Sequence, residues 1–308
     1  MKTVTVKAYA KLNIALNVLG LSNGYHMLDT ICTTVNKYDV ITATKRNDNK
    51  ILVSFVGEYG FIPKAQEETN AYKAASAFAK EFNTCGVNIE IVRNIPTGSG
   101  MGGSSADIVG VLKALKKLYG VNKSIEPLAT SLGSDCTYLL KGGTARLTGR
   151  GEIVEDFNLA KPLYFVAIYS SGVVTSKDCF LKFDQTNSNG IVCDVLSVKT
   201  ALESGNVQDI KTLQGSSYNA LTESAISINS EIATNLQALK GLSPFFYSMT
   251  GSGSTVFAMY EDLEMAKWAL SKLKRRYGNK VEILKTHNLS NLSLFDVLFN
   301  KDYYLQEI

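Results

Sequence analysis

The stretch Pro96-Thr97-Gly98-Ser99-Gly100-Met101-Gly102-Gly103-Ser104-Ser105-Ala106-Asp107 places four glycines within six consecutive positions. Glycine weakens both helix and strand interiors, so the chain must turn here. Before it, Val87, Ile89 and Ile91 alternate as in a strand; after it, Ala106 to Leu118 carries Ile108, Val111, Leu112 and Leu115 at helical spacing. Strand, glycine loop, helix is an order that lets backbone N–H groups face an anion with no Cβ in the way, backed by the positive end of a helix. The expected phosphate contacts are Pro96, Gly98, Ser99, Gly100, Met101, Gly102, Gly103, Ser104 and Ser105. The pattern also fits a plain turn into a helix capped by Ser104 or Ser105. No Gly-Lys-Ser/Thr closes the loop, which excludes a Walker A site, and no carboxylate stands where a dinucleotide fold would need one.

Composition removes several other chemistries. The chain has 308 residues, 45% apolar and 19% charged, which suits one large or two medium folded domains. With only His26 and His287, a histidine-held metal or a Ser-His-Asp hydrolase has little to build on. The five cysteines are scattered and never paired as C-x-x-C, so free buried thiols are expected. A net charge of +4 suits an anionic substrate such as a nucleotide but falls short of a nucleic-acid binder. The basic run Lys272, Lys274, Arg275 and Arg276 reads as a solvated helix end, with Leu263, Ala266, Leu270 and Leu273 on the inward face. Lys7 and Lys11 interrupt the apolar amino terminus, and no apolar run is long enough to cross a bilayer. A cytoplasmic protein with no membrane partner is expected.

Leu12, Ile14, Leu16 and Val18 alternate with Lys11, Asn13 and Asn17, so the three polar residues are expected on one strand face. A turn at Ser22-Asn23-Gly24 leads to Tyr25, His26 and a second strand near Thr30 to Val35. Beyond a loop-rich segment, Tyr164 to Tyr169 reads as a strand. It is followed by helices around Val198 to Leu213 and Ile226 to Leu239, strands near Phe245 to Met249 and Thr255 to Tyr260, a helix, and a strand near Val281 to Leu284. This is the order of a split β-α-β, ferredoxin-like domain. The expected domains are residues 1–158 and 159–308, with the apolar positions of Asn288 to Ile308 packing on the parent domain as a short extension.

Three segments stand in a telling order: Ala8-Tyr9-Ala10-Lys11-Leu12-Asn13-Ile14-Ala15-Leu16, the glycine loop, and Met249-Thr250-Gly251-Ser252-Gly253-Ser254-Thr255-Val256-Phe257. Together they resemble the three motifs of the GHMP kinases, from Ala8 to about Leu284. Lys11-Leu12-Asn13, Gly24-Tyr25-His26 with Thr30, Asn70 with Tyr72-Lys73-Ala74-Ala75, Leu132-Gly133-Ser134-Asp135, Gly142-Gly143-Thr144-Ala145 and Gly149-Arg150-Gly151-Glu152 narrow the likeness. They are most similar to the branch that phosphorylates the 2-hydroxyl of a cytidine-diphosphate-linked methylerythritol for isoprenoid precursors.

The resemblance implies an α+β, two-domain GHMP kinase fold: a first domain like domain 2 of ribosomal protein S5, then a ferredoxin-like domain. It implies ATP and Mg²⁺ as cofactors, a small-molecule substrate, and a monomer or homodimer. It makes Asp135 the base that takes the hydroxyl proton and Lys11 its charge partner; read from the residues alone, Asp135 fits a capping aspartate and Lys11 an exposed strand lysine. It assigns the substrate to Asn13, Tyr25, His26, Phe180, Gly251 and Ser252, with cytosine between the Tyr25 and Phe180 rings and read by His26; Phe180 equally fits an ordinary core residue. No acidic metal ligand is identifiable, and Ser105 is a candidate for the metal or for the helix cap. Another GHMP small-molecule kinase, of mevalonate or homoserine kinase type, or a non-catalytic nucleotide sensor would share the fold. Against the family pattern, Ser104 replaces a glycine, Ala106 a serine, Thr137 a proline, and Ser171-Gly172 a proline-glycine pair.

Overall fold

The computed structural model describes residues 2–57, 65–186, 190–206, 209, 218–260 and 262–287. Two strands of unusual length dominate it: β1, Thr3–Ser22, and β2, Tyr25–Lys45. They pair antiparallel along their whole length through a two-residue turn. Asn23 and Gly24 both adopt positive φ, the backbone that a tight right-twisted hairpin demands and that this residue pair tolerates best.

The far edge of β2 is shared between two partners. Its carboxyl half pairs with β4, Val87–Val92, and its amino half with β5, Thr144–Gly149. Adding β3, Ile51–Val56, and β6, Ile153–Phe157, gives the order β3-β4-β2-β5-β6, with β1 on β2 and only the β3–β4 pair parallel. The helices α1, Asn70–Phe82, α2, Gly103–Tyr119, α3, Glu126–Leu132, and α4, Cys136–Lys141, belong to this half, and α2 packs directly on β1 and β2. Ile108, Val111, Leu112 and Leu115 of α2 are buried, as its spacing predicts.

The second sheet is antiparallel in the order β10-β7-β9-β8, built from β7, Tyr164–Ile168, β8, Phe246–Met249, β9, Val256–Tyr260, and β10, Val281–Lys285. Its helices are α5, Ser176–Thr186, α6, Val195–Ser204, α7, Thr222–Ile228, α8, Glu231–Lys240, and α9, Leu263–Tyr277. The order of strands and helices is the split β-α-β arrangement expected. The sheets part between Phe157 and Tyr164, yet one apolar core runs through both, joining Leu12 and Ile31 to Phe165 and Phe257.

Four local expectations are corrected. Ile14 is a bulge between the pairs Asn13–Cys32 and Ala15–Ile31. Because strand side chains alternate, one extra residue flips the positions that follow to the other face, here as far as the next irregularity between Val18 and Gly20. Lys11 and Asn13 therefore share a face with Leu16, whereas Asn17 leaves it and binds the Val192 and Cys193 backbone. The helix expected over Ile226 to Leu239 starts at Thr222 and breaks at Asn229 and Ser230. Leu263 is exposed, since the inward face of α9 is Ala266, Ala269, Leu273 and Tyr277. Finally, neither Ser104 nor Ser105 caps α2: its amino terminus begins at Gly103, with Gly102 at the cap position and no side-chain cap bond. The five cysteines are free thiols. The expected extension of α6 to Leu213 and the packing of Asn288 to Ile308 lie outside the described residues. Among the described residues no helix is long and apolar enough to cross a membrane.

Candidate active site

A cleft of about 440 Å³ opens between the sheets, lined by the whole glycine loop, Lys11, Asn13, Asp135, Phe180, Gly251 and Ser252. Its floor is the cleft face of β1. Lys11 is buried, its Nζ donates to Asn13 Oδ1, and it lies 3.7 Å from Asp135 Oδ2. Asn13 is fixed on three sides: its N–H donates to Thr250 Oγ1 at 2.9 Å, and its amide donates to Thr30 Oγ1 at 2.9 Å and to Cys32 Sγ at 3.1 Å. Burial pushes the Cys32 thiol up to about 12, so it stays neutral beside the lysine and offers no rival nucleophile.

Asp135 stands at the cap position of α4 but makes no capping bond there. Its carboxylate instead faces Lys11, partly open to solvent. Gly151, in the β5–β6 turn, abuts it: a Cβ there would lie 3.8 Å from Asp135 Oδ1.

The glycine loop is held by interlocked backbone. Ser254 N and Thr255 N donate to Gly98 O and Ser99 O at 3.2 Å each, Lys11 N donates to Met101 O at 3.0 Å, and Thr250 Oγ1 donates to Gly100 O at 3.3 Å. A Cβ on Gly100 would fall 2.1 Å from Thr250 O, and one on Gly251 2.7 Å from Gly100 O, so the loops can pass only as glycines. Asn219 braces the second loop from behind, donating to Met249 O and Gly251 O at 2.8 Å each. With no side-chain cap on α2, and with Gly103, Ser104 and Ser105 lining the cleft, the helix start faces the cleft in the way that suits an anion.

Where the loop begins, Asp39 accepts from Asn94 N at 2.6 Å and Ile95 N at 2.8 Å, and Arg93 pairs with buried Asp107 at 2.9 Å. Burial raises the carboxyls of both Asp39 and Asp107, only partly offset by backbone donors at the first and by Arg93 at the second. These groups line the cleft but escaped sequence reading, because they come from three distant segments.

At the opposite end Phe180 lines the cleft and stacks on His26 at 4.5 Å between ring centres. His26 shares the cleft face of β2 with Leu28 and Thr30. Tyr25 takes the other face, largely exposed, with the Arg150 guanidinium 4.8 Å from its ring centre. The structure thus brings His26 and Phe180 together but not Tyr25. Asp184, hydrogen-bonded to His26 at 2.8 Å, was missed; its only sequence signal is its place four residues after Phe180 on a helix.

Residues that depart from the family pattern have found other work. Ala106 is buried, Thr137 shares a hydroxyl bond with Thr130 at 2.8 Å, and Ser171 N donates to Glu231 at 2.8 Å.

Comparison with known proteins agrees with this geometry. Residues 69–143 match the GHMP kinases N terminal domain and residues 198–279 the GHMP kinases C terminal model. The 4-diphosphocytidyl-2-C-methyl-D-erythritol kinase of Clostridium beijerinckii is 32% identical over 277 residues, covering 88% of this chain and 96% of its own. That of Clostridium perfringens is 33% identical over 93% of this chain and 99% of its own. The chain belongs to the 4-diphosphocytidyl-2-C-methyl-D-erythritol kinase family of GHMP kinases. A crystal structure of such a kinase superposes with a TM-score of 0.75 at 25% identity, covering 92% of this chain and 100% of that one. L. major mevalonate kinase in complex with R-mevalonate, with a TM-score of 0.69 and 15% identity, shares the fold alone.

Proposed function

We propose that this protein transfers the γ-phosphoryl group of ATP to the 2-hydroxyl of 4-(cytidine 5'-diphospho)-2-C-methyl-D-erythritol, a step in the non-mevalonate route to isoprenoid precursors. The observation that carries this reading is the meeting of Lys11 and Asp135, distant in the chain, 3.7 Å apart beside the glycine cradle. Asp135 orients the acceptor hydroxyl and takes its proton as the oxygen bonds to the γ-phosphorus and the bridge to the β-phosphate breaks. Lys11, 3.7 Å from Asp135, orients that carboxylate by charge and offsets charge gathering on the transferred group. Asn13, locked by Thr30 and Thr250, holds the erythritol side.

The uncapped start of α2, the bare glycine backbone and the nearby lysine suit a triphosphate. Among the described residues no group of three His, Cys, Asp or Glu side chains could hold a metal. Mg²⁺ would thus take its ligands chiefly from phosphate and water, with Ser105 the candidate on the protein side. When bound, it neutralises phosphate charge. Phe180 supplies a stacking face for cytosine and His26 reads its edge. Mass spectrometry of the product after incubation with Mg-ATP and methylerythritol derivatives, with and without the cytidine group, tests the reading. A phosphorylated product only from the cytidine-linked alcohol is expected, and equal use of both would refute it.

A further inference from the structure

We propose that Asp184 is a positioning residue that fixes the tautomer of His26 and thereby sets a preference for cytidine over uridine; this rests on the reading above in which His26 meets the base. Phe180, Phe183 and Asp184 stand at i, i+3 and i+4 on α5, hence on one face. All three contact the imidazole: Phe180 stacks on it at 4.5 Å and 27°, Phe183 meets its plane edge-on at 6.3 Å and 83°, and Asp184 Oδ1 lies 2.8 Å from Nε2. The ring is thus fixed in plane and in rotation.

A carboxylate oxygen only accepts, so Nε2 must donate, and a neutral imidazole then has a bare lone pair at Nδ1. An acceptor at Nδ1 suits the exocyclic amino group of cytosine, a donor, and opposes the carbonyl that uracil carries at the same place. Removing the carboxylate frees the ring to present Nδ1–H and to accept uracil. The Asp184 side chain is 43% exposed, so the core does not require it.

Two measurements test this. The chain has only two histidines, so ¹⁵N imidazole spectra resolve His26 from His287, with His26→Ala for assignment. The expected wild-type spectrum has Nε2 protonated and Nδ1 bare, with mixed tautomers in Asp184→Ala. The kcat/KM ratio for cytidine- over uridine-linked substrate should fall about tenfold in Asp184→Ala, the scale of one charged hydrogen bond. Asp184→Asn, whose amide oxygen still accepts, should recover most of it. A protonated Nδ1 in the wild type, or an unchanged ratio in Asp184→Ala, overturns the proposal. If His26→Ala leaves KM for the cytidine-linked substrate unaltered, the base contact fails and the inference with it; if His26→Ala raises KM while Asp184→Ala changes nothing, only the inference fails.

Discussion

At the phosphate end of the cleft nearly every fixed contact is backbone: Gly98, Ser99, Gly100 and Met101 present carbonyls to the 250–255 loop and to β1, and the side chains beneath, Lys11 and Asn13, are buried. At the base end the contacts are side chains on one helix and one hairpin, and Tyr25 is 56% exposed. Backbone interlock leaves little room for substitution, because each atom is held by the chain on either side. Side-chain recognition can be retuned one residue at a time. On the proposed reading, the residues that hold phosphate are thus kept apart from those that name the acceptor.

The contrast can be broken first at Asp135. Asp135→Asn should lower kcat by about 10²–10⁴ with the thermal transition unmoved, as loss of a general base does; near wild-type turnover would end the assignment. Next, Gly100→Ala combines a positive φ with a Cβ 2.1 Å from a backbone oxygen. It should cost roughly 2–4 kcal/mol in denaturant unfolding and weaken nucleotide binding along with it. At the base end, Phe180→Ala should raise KM for the cytidine-linked alcohol about tenfold with kcat little changed, the scale of one lost base stack. Tyr25→Ala should do less, since its ring faces away; the reverse ranking would place the base on the hairpin instead.

The smallest expected effect tests the buried carboxyls. Burial raises Asp107 in the folded state, so the folded chain holds that proton more tightly than the unfolded chain. The stability this contributes is full below the ordinary carboxylate range and is lost as pH rises through the folded value. Asp107→Asn should therefore flatten the fall in unfolding free energy between about pH 4 and pH 7, by on the order of 1 kcal/mol. An unchanged slope would mean that Arg93 holds Asp107 ionised throughout.

What the sequence made legible was whatever neighbouring residues encode together. The glycine loop, the Asn23-Gly24 turn and the periodicity of α2 all follow from local preference, and the family segments Ala8 to Leu16 and Leu132 to Asp135 pointed to Lys11 and Asp135. Less legible was anything fixed by pairing across distance. Nothing in Ile14 marks it as a bulge, because the register is set by β2. Asp39, Arg93 and Asp107 belong to separate segments whose meeting is tertiary, and Asp184 looks like any polar residue on an amphipathic helix. Leu263 was misjudged for a related reason: the cap at Asp262 sets where α9 begins, and thus which residues face in.

The extra residue at Ile14 lets a single strand serve two addresses. Upstream of it the polar side chains Lys11 and Asn13 line the cleft; downstream, Asn17 is delivered to the opposite side, where it staples the 192–193 segment ahead of α6. Strand length and strand phase are therefore separately adjustable here. An engineer deleting that one position would rotate Asn17 toward the cleft and Leu16 out of it, exchanging the wiring of two regions without touching a catalytic atom.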